Sequence, residues 1–250
     1  YLQDFIGDNI LEKTLMEFYQ KNKLKITNSE EFATTLKSKT NKKLDWFFGD
    51  YIKTNKKINF KISKLIPSNI NDSLNVTITN KRNITVPVSL YGVKNKEIVF
   101  KKWLSNIDSI KTFTIKNKNY DRLALNYEQK YPEYNSLNNF KKVSPSIINK
   151  PIQLRFYKDL ENPYYNQIFY KPDVSYNFYD GISLGLNFNN RHFIKHNFEF
   201  NVTPNYAFGS NSLTGSFGVR YNKFLGDFKN LRHFRFGISG SSSHYAEDLS

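Results

Sequence analysis

Two histidines four residues apart, His192-Phe193-Ile194-Lys195-His196, are the chain's nearest approach to catalytic spacing. In a zincin helix such a pair binds zinc, and a glutamate after the first histidine acts as general base on the metal-bound water. Here Phe193 occupies the glutamate position, so the catalytic logic is lost. The preceding Asn189-Asn190-Arg191 reads as a turn between strands. On a strand, residues i and i+4 share a face but lie roughly 13 Å apart, too far to share one metal. Surface or loop histidines are the favoured reading. His233 and His244 have no carboxylate–histidine constellation beside them in sequence. Glu30-Glu31 suits a helix N-terminus, where acids favour the dipole, and Asp159 and Glu161 sit in a turn before Pro163. Neither a nucleophile elbow nor a phosphate-binding glycine loop is present, and the chain contains no cysteine, which removes thiolate metal sites and disulfides. No catalytic, cofactor-binding or metal-ligating residue is therefore assigned. Asn-x-Thr sequons at Asn75, Asn83 and Asn201 are what an Asn/Thr-rich chain supplies by chance.

The elements that would position any chemistry fall into segments. The first, 1–56, reads as helical. Gly7 takes a helix-ending position, and Asn9-x-x-Glu12 and Thr27-x-x-Glu30 look like capping boxes. Leu11, Leu15, Phe18 and Tyr19 share one helical face, and Phe32 and Leu36 mark the buried side of the next helix. Leu44, Phe47, Phe48 and Tyr51 then form an aromatic stripe at i, i+3, i+4 and i+7. Short helices in succession predict an α-hairpin or superhelical array.

From 57 to 127 the period changes to two. Ile58/Phe60/Ile62, Leu74/Val76/Ile78, Val86/Val88/Leu90, Phe113/Ile115 and Leu123/Leu125 alternate, with a turn at Asn80-Lys81-Arg82-Asn83 and Pro87 suiting an edge or bulge. This predicts a small β-sandwich. Residues 128–150, with Tyr131-Pro132-Glu133-Tyr134 and few strand signals, read as a linker.

Residues 151–250 are the most regular. Val174/Tyr176/Phe178, Ile182/Leu184/Leu186/Phe188, Phe198/Phe200/Val202, Leu213/Phe217/Val219/Tyr221 and Phe234/Phe236/Ile238 alternate with small or polar residues, and Asp180-Gly181 offers a hairpin turn. Strands of about ten residues with one apolar, aromatic face predict an antiparallel sheet of outer-membrane β-barrel type. Its partner there is membrane lipid. Too few strands precede Ser250 to close a large barrel, so a partial, truncated barrel is expected. The alternative is a soluble antiparallel sheet or barrel around an apolar core. The fold class expected for the whole chain is thus multidomain, α then all-β.

Composition agrees with a change of material near residue 150. Residues 1–150 hold 27 Lys+Arg against 14 Asp+Glu, and residues 151–250 hold 10 against 8, while aromatics rise from 19 to 22 across these unequal parts. The basic first part invites a nucleic-acid reading, but its lysines are scattered among Asn, Ile and Thr and arginine is rare there. A solvated lysine-rich surface is favoured, and no nucleic-acid partner is expected.

The first segment resembles the C-terminal helices of aminopeptidase-N-like gluzincin zinc peptidases. The residues that carry this are Leu2-Gln3-Asp4-Phe5-Ile6-Gly7, Phe18-Tyr19, Glu31-Phe32, Leu36 and Leu44-Asp45-Trp46-Phe47-Phe48-Gly49-Asp50-Tyr51. Leu154–Leu160, Tyr165–Tyr170 and Tyr179–Gly185 resemble flavobacteria-type envelope proteins that join such a peptidase, a β-sandwich and a barrel-like region. The resemblance implies zinc-dependent peptide hydrolysis by a longer envelope protein acting on a peptide substrate. The zinc ligands, the H-E-x-x-H motif and the catalytic tyrosine are expected before Tyr1, leaving this fragment inactive alone. The alternative is a non-enzymatic outer-membrane or surface module, such as an adhesin, transport or surface-antigen barrel with an accessory sandwich.

Overall fold

In the computed structural model the described residues are all but 8, 70–71, 193–195, 226–230 and 246–250. The chain is mostly β, and it divides into two compact units, Tyr1–Asn149 and Lys150–Ser250.

Unit 1 opens with α1 (Leu2–Ile6), α2 (Ile10–Asn22) and α3 (Ser29–Ser38), then a π-helical turn at Phe47–Tyr51. Gly7 ends α1 at φ 108°, a conformation that favours glycine. Of the two expected capping boxes, neither forms as predicted. Asn9 makes no side-chain cap, and Glu12 instead accepts from Gln3 Nε2 at 3.1 Å. At α3 the cap is Asn28, one residue beyond Thr27, with Glu31 N–H donating to Asn28 Oδ1 at 2.9 Å. The predicted α2 face is only half used: Phe18 meets Phe32 edge-on, whereas Leu15 and Tyr19 are exposed.

The aromatic stripe also changes meaning. Leu44 is buried, but Phe47, Phe48 and Tyr51 are only partly so. The π turn widens the helix locally, and Phe47 stacks on Tyr51 with centroids 5.6 Å apart. Trp46, outside the stripe, touches Tyr1, Phe5, Phe47 and Tyr51 and packs against both hydrophobic clusters of the unit.

The sandwich-like part comprises β1 (Phe60–Pro67), β2 (Ser73–Asn80), β3 (Val88–Lys94), β4 (Glu97–Leu104), β5 (Ile110–Lys116), β6 (Arg122–Leu125) and β7 (Phe140–Lys142). Its sheets have the orders β1-β2-β5 and β4-β3-β6-β7. Period-two burial along β2 delivers Leu74, Val76 and Ile78 to a core shared with Phe60, Ile62, Leu90 and Leu123. Each such side chain contributes roughly 1.5–3 kcal/mol on full burial. The Asn80–Asn83 turn is not a hairpin: it carries the chain from one sheet to the other, and Asn80 Nδ2 donates to the Ile84 and Ile107 carbonyls at 2.9 Å each.

Residues 128–142, expected as linker, belong to this fold. Phe140–Lys142 pairs with β6, and Tyr131 and Phe140 are buried. Polarity misled the reading, because these residues meet the core through side-chain hydrogen bonds rather than an apolar run. Helices and sandwich likewise form one unit. The Tyr1 ring stacks on Tyr131 with centroids 4.2 Å apart and its hydroxyl donates to the Pro87 carbonyl; Trp103 Nε1 donates to the Asp4 carbonyl at 3.1 Å. Lys101 bridges Asp4 and Glu128, at 2.6 Å to each.

Gly92 lies at the β3–β4 register shift, where the Tyr120 ring fills the space a Cβ would need. Tyr120 is buried, so Gly92→Ala is expected to cost about 1–3 kcal/mol by overpacking, read as a lower urea midpoint.

Unit 2 is one six-stranded sheet of order β13-β12-β11-β10-β9-β8, from β8 (Ile152–Phe156), β9 (Asn166–Asn177), β10 (Gly181–Asn189), β11 (Phe198–Ala207), β12 (Ser212–Phe224) and β13 (His233–Ser242). β9 to β13 form an antiparallel meander, but β8 pairs parallel to β9, against the all-antiparallel expectation. The sheet is open, not closed into a barrel, among the described residues.

Candidate functional site

The period-two pattern of unit 2 gives the sheet two chemically opposite faces, and cross-strand register keeps them continuous. Leu184 pairs with Val174 and Tyr206, Tyr206 with Leu213, Val202 with Phe217, and Val219 with Ile238. Along β8, Ile152, Leu154 and Phe156 are exposed as well. This apolar face is the exposed one: Val174 is 69% exposed, Leu184 46% and Phe236 65%.

The polar face contains the buried positions. Asn187 and Thr203 are each 6% exposed and Asn222 is fully buried. Asn187 Nδ2 donates to Thr203 Oγ1 at 2.6 Å and to Asn201 Oδ1 at 2.9 Å, and Asn205 Nδ2 donates to Asp173 Oδ2 at 2.9 Å. Glu199 and Arg220, paired in register, approach to 3.7 Å. Asn222 Nδ2 donates to the His196 carbonyl, while its Oδ1 accepts from Arg235 Nε at 3.2 Å. Buried polar groups that satisfy one another this way are stable, whereas a contiguous exposed apolar face is uncommon on a monomer in water.

The histidine pair lies in a loop, the favoured reading. His192 and His196 lie on the β10–β11 connection, not on a strand, and their rings are 4.3 Å apart instead of roughly 13 Å. His192 has Nε2 3.0 Å from Gln167 Oε1 and Nδ1 3.1 Å from the Asn190 carbonyl. Burial, then the charge of His196, pushes the His192 imidazole below its ordinary value. His196 Nε2 meets Glu161 Oε2 at 2.9 Å. Burial works to raise the Glu161 carboxyl, but the His196 hydrogen bond and nearby positive charges hold it below the usual carboxylate range. Phe193, in the missing general-base position, lies outside the described residues. No group of three or more His, Cys, Asp or Glu among the described residues is arranged to hold a metal.

A second cluster contains the residue types of a hydrolytic triad without its geometry. Ser210 Oγ donates to Asp180 Oδ1 at 2.6 Å, and His244 Nδ1 meets that same oxygen at 2.6 Å. Ser210 is therefore engaged by the acid, and the serine that meets the imidazole is Ser212, whose Oγ lies 3.5 Å from His244 Nδ1, the nitrogen already held by Asp180. Asn177 Nδ2 and the His244 backbone N–H both donate to Asp180 Oδ2, at 2.8 and 2.9 Å. The cluster ties the β9–β10 and β11–β12 turns to the chain after β13. The Ser210 hydrogen bond foremost, with those from Asn177 and His244, holds the Asp180 carboxyl far below its ordinary value. Its contribution to stability is present above the unfolded carboxylate range and fades as pH falls through the depressed one.

In unit 1 the sequence reading missed Glu133. It is partly buried, accepting from Asn139 Nδ2 at 2.8 Å and Phe60 N–H at 3.3 Å. Burial pushes its carboxyl up to about 7, against those two hydrogen bonds. The one available signal was a lone acid between two tyrosines, Tyr131-Pro132-Glu133-Tyr134.

No family model and no curated protein matches the chain. Among solved structures it is similar to Legionella pneumophila aminopeptidase A in complex with aspartic acid, at 14% identity and a TM-score of 0.39, over 54% of this chain. The match spans 17% of the aminopeptidase's length. At this TM-score the likeness carries no argument.

Proposed function

We propose that this chain is the C-terminal portion of a cell-envelope zinc metallopeptidase, with Lys150–Ser250 seated in outer-membrane lipid as part of a β-barrel. The observation that carries the membrane half is the reversed sheet of unit 2, apolar where exposed and polar where buried. The ten residues of β11, rising about 3.3 Å each, span about 30 Å. A tilt of about 35–45° reduces that to roughly 21–25 Å, close to the apolar band of outer-membrane barrels. None of the described helices is long and apolar enough to cross a membrane, which says nothing of crossing by strands. The peptidase half rests on the ordered aromatic and glycine positions of residues 1–56 and their resemblance to gluzincin helices. Zinc and the peptide-cleaving residues belong to the rest of that protein, and no catalytic step is assigned to residues 1–250.

The full-length protein is expected to fractionate with detergent-extracted outer membranes and to release amino-terminal residues from peptides in a chelator-sensitive way. The isolated 250-residue chain is expected to show no such activity. Recovery of the full-length protein as a soluble monomer would remove the membrane half. Membrane recovery without chelator-sensitive hydrolysis would favour the non-enzymatic surface module.

A further inference from the structure

Unit 2 carries one strand that does not fit the rest of its sheet. β9 to β13 form an antiparallel meander, whereas β8, at the edge, runs parallel to β9. Bacterial outer-membrane barrels are built from an even number of antiparallel strands, so a parallel neighbour has no place in the wall. β8 is also too short to be a wall strand. Its five residues rise about 17 Å in all. The apolar band of such barrels is about 25 Å tall.

β8 nevertheless occupies a position that a barrel needs. It pairs with Asn166–Tyr170, the start of the twelve-residue β9. Lys171–Asn177 has no strand on that side among the described residues, and neither has the outer side of β13. Closing the sheet requires the outer edge of β9 to receive an antiparallel strand. Two strands cannot pair with the same backbone N–H and C=O groups.

What holds β8 in place is slight. Ile152, Leu154 and Phe156 are all exposed, so the strand buries little apolar surface. Parallel pairing is also slightly less stable per residue than antiparallel pairing. Beyond the ladder, Gln167 Nε2 donates to Gln153 Oε1 at 3.1 Å and Asn166 Nδ2 to the Lys150 carbonyl at 3.0 Å. Phe156 meets Tyr170 edge-on, with centroids 5.7 Å apart. Tyr157, just past the strand, sits at φ 66°, a left-handed conformation that strains a bulky residue. Its N–H donates to the Tyr170 carbonyl at 2.7 Å, so leaving the edge would release that strain. An unpaired edge is meanwhile a template for other chains, and a short strand laid along it blunts the hazard.

We propose that β8 is a detachable edge cap. It covers the start of the β9 edge while the sheet is open, and it leaves when an antiparallel strand of the same protein closes the sheet in the membrane. Closure belongs to the outer-membrane reading of unit 2, on which this inference rests.

Leu154 and Ile168 are register partners, and neighbouring strands lie about 4.8 Å apart, within disulfide reach. Residues 1–250 contain no cysteine, so Leu154→Cys with Ile168→Cys in the full-length protein introduces the only thiols of this region. The two single variants expose any crosslink to a thiol elsewhere. Val202→Cys with Phe217→Cys, partners in β11 and β12, is the control. Each variant is oxidised before and after folding into lipid vesicles, with folding read from gel mobility without heating. The 154–168 crosslink is expected to form before insertion and to fall at least about tenfold after it, while the 202–217 crosslink persists. Oxidised beforehand, the 154–168 variant is expected to fold into vesicles at least about tenfold more slowly than when reduced. A vesicle-folded protein that still forms the 154–168 crosslink would overturn the cap and leave the membrane reading standing. So would a locked variant that folds as fast as its reduced form, or a pair that never crosslinks before insertion. A parent that never folds into vesicles overturns the membrane reading and the cap with it.

Discussion

Leu186→Arg is expected to weaken folding of unit 2 into a lipid bilayer by about 2–4 kcal/mol, the cost of an arginine on the lipid face near mid-height. Leu186 sits midway along β10, opposite Pro172, and is 42% exposed. In water that exposure makes a charged replacement harmless, within about 0.5 kcal/mol, so the two environments give different answers to one substitution. Ser216→Lys is the control. It lies on the polar face, in register with Thr203 and Ser241, and is expected to be tolerated in either case. Urea titration of the full-length protein folded into lipid vesicles reads both variants. If Leu186→Arg folds as well as the parent, the apolar face does not meet hydrocarbon.

Glu133→Gln is expected to stabilise unit 1 at pH 8 and to flatten its pH dependence. With the folded carboxyl pushed up to about 7 by burial, the folded chain keeps a proton that the unfolded chain has released. Native protein binds more protons than unfolded across about pH 4.5 to 7, so stability falls as pH rises through that window. The loss approaches about 3 kcal/mol once the buried group is ionised. Glutamine resembles the protonated acid and carries no charge to desolvate. It gives up one acceptor oxygen facing Asn139 or Phe60, a cost of about 0.5–1.5 kcal/mol, leaving a net gain of about 2 kcal/mol at pH 8. The reading is clean because all four histidines lie in unit 2 and both tryptophans in unit 1. Tryptophan-monitored urea unfolding at pH 5 and pH 8 provides the test. An unchanged pH slope in the variant would assign the proton to another group.

The two predictions also separate what could be read along the chain from what could not. The reversed faces of unit 2 follow from alternation alone: period two puts Val174, Leu184, Val202 and Phe217 on the apolar face of their strands, and strand pairing joins Leu184 to Val174 and Val202 to Phe217. A strand side chain has two directions to choose from, so period is enough. Most sandwich core positions, such as Val76, Ile78 and Leu123, were legible for the same reason. In the helical segment the period marked Leu36 and Leu44 but overstated Leu15 and Tyr19, because a helix face is buried only where a partner covers it.

Tertiary structure decided the rest. Glu133 looked like part of a polar linker, and only the return of residues 128–142 onto the sandwich shields it from water. The histidine pair was legible as loop residues, but the distance between the rings, 4.3 Å, is set by the path of the β10–β11 connection. Ser210, Asp180 and His244 come from three separate stretches, and only their packing shows that the serine and the imidazole both meet the acid. Sequence by itself determined which residues seek water and which avoid it, since hydropathy and period are local properties. The burial of a charge, the distance between two rings and the partner of a tryptophan N–H are set by segments far apart in the chain. Their values exist only once those segments have packed.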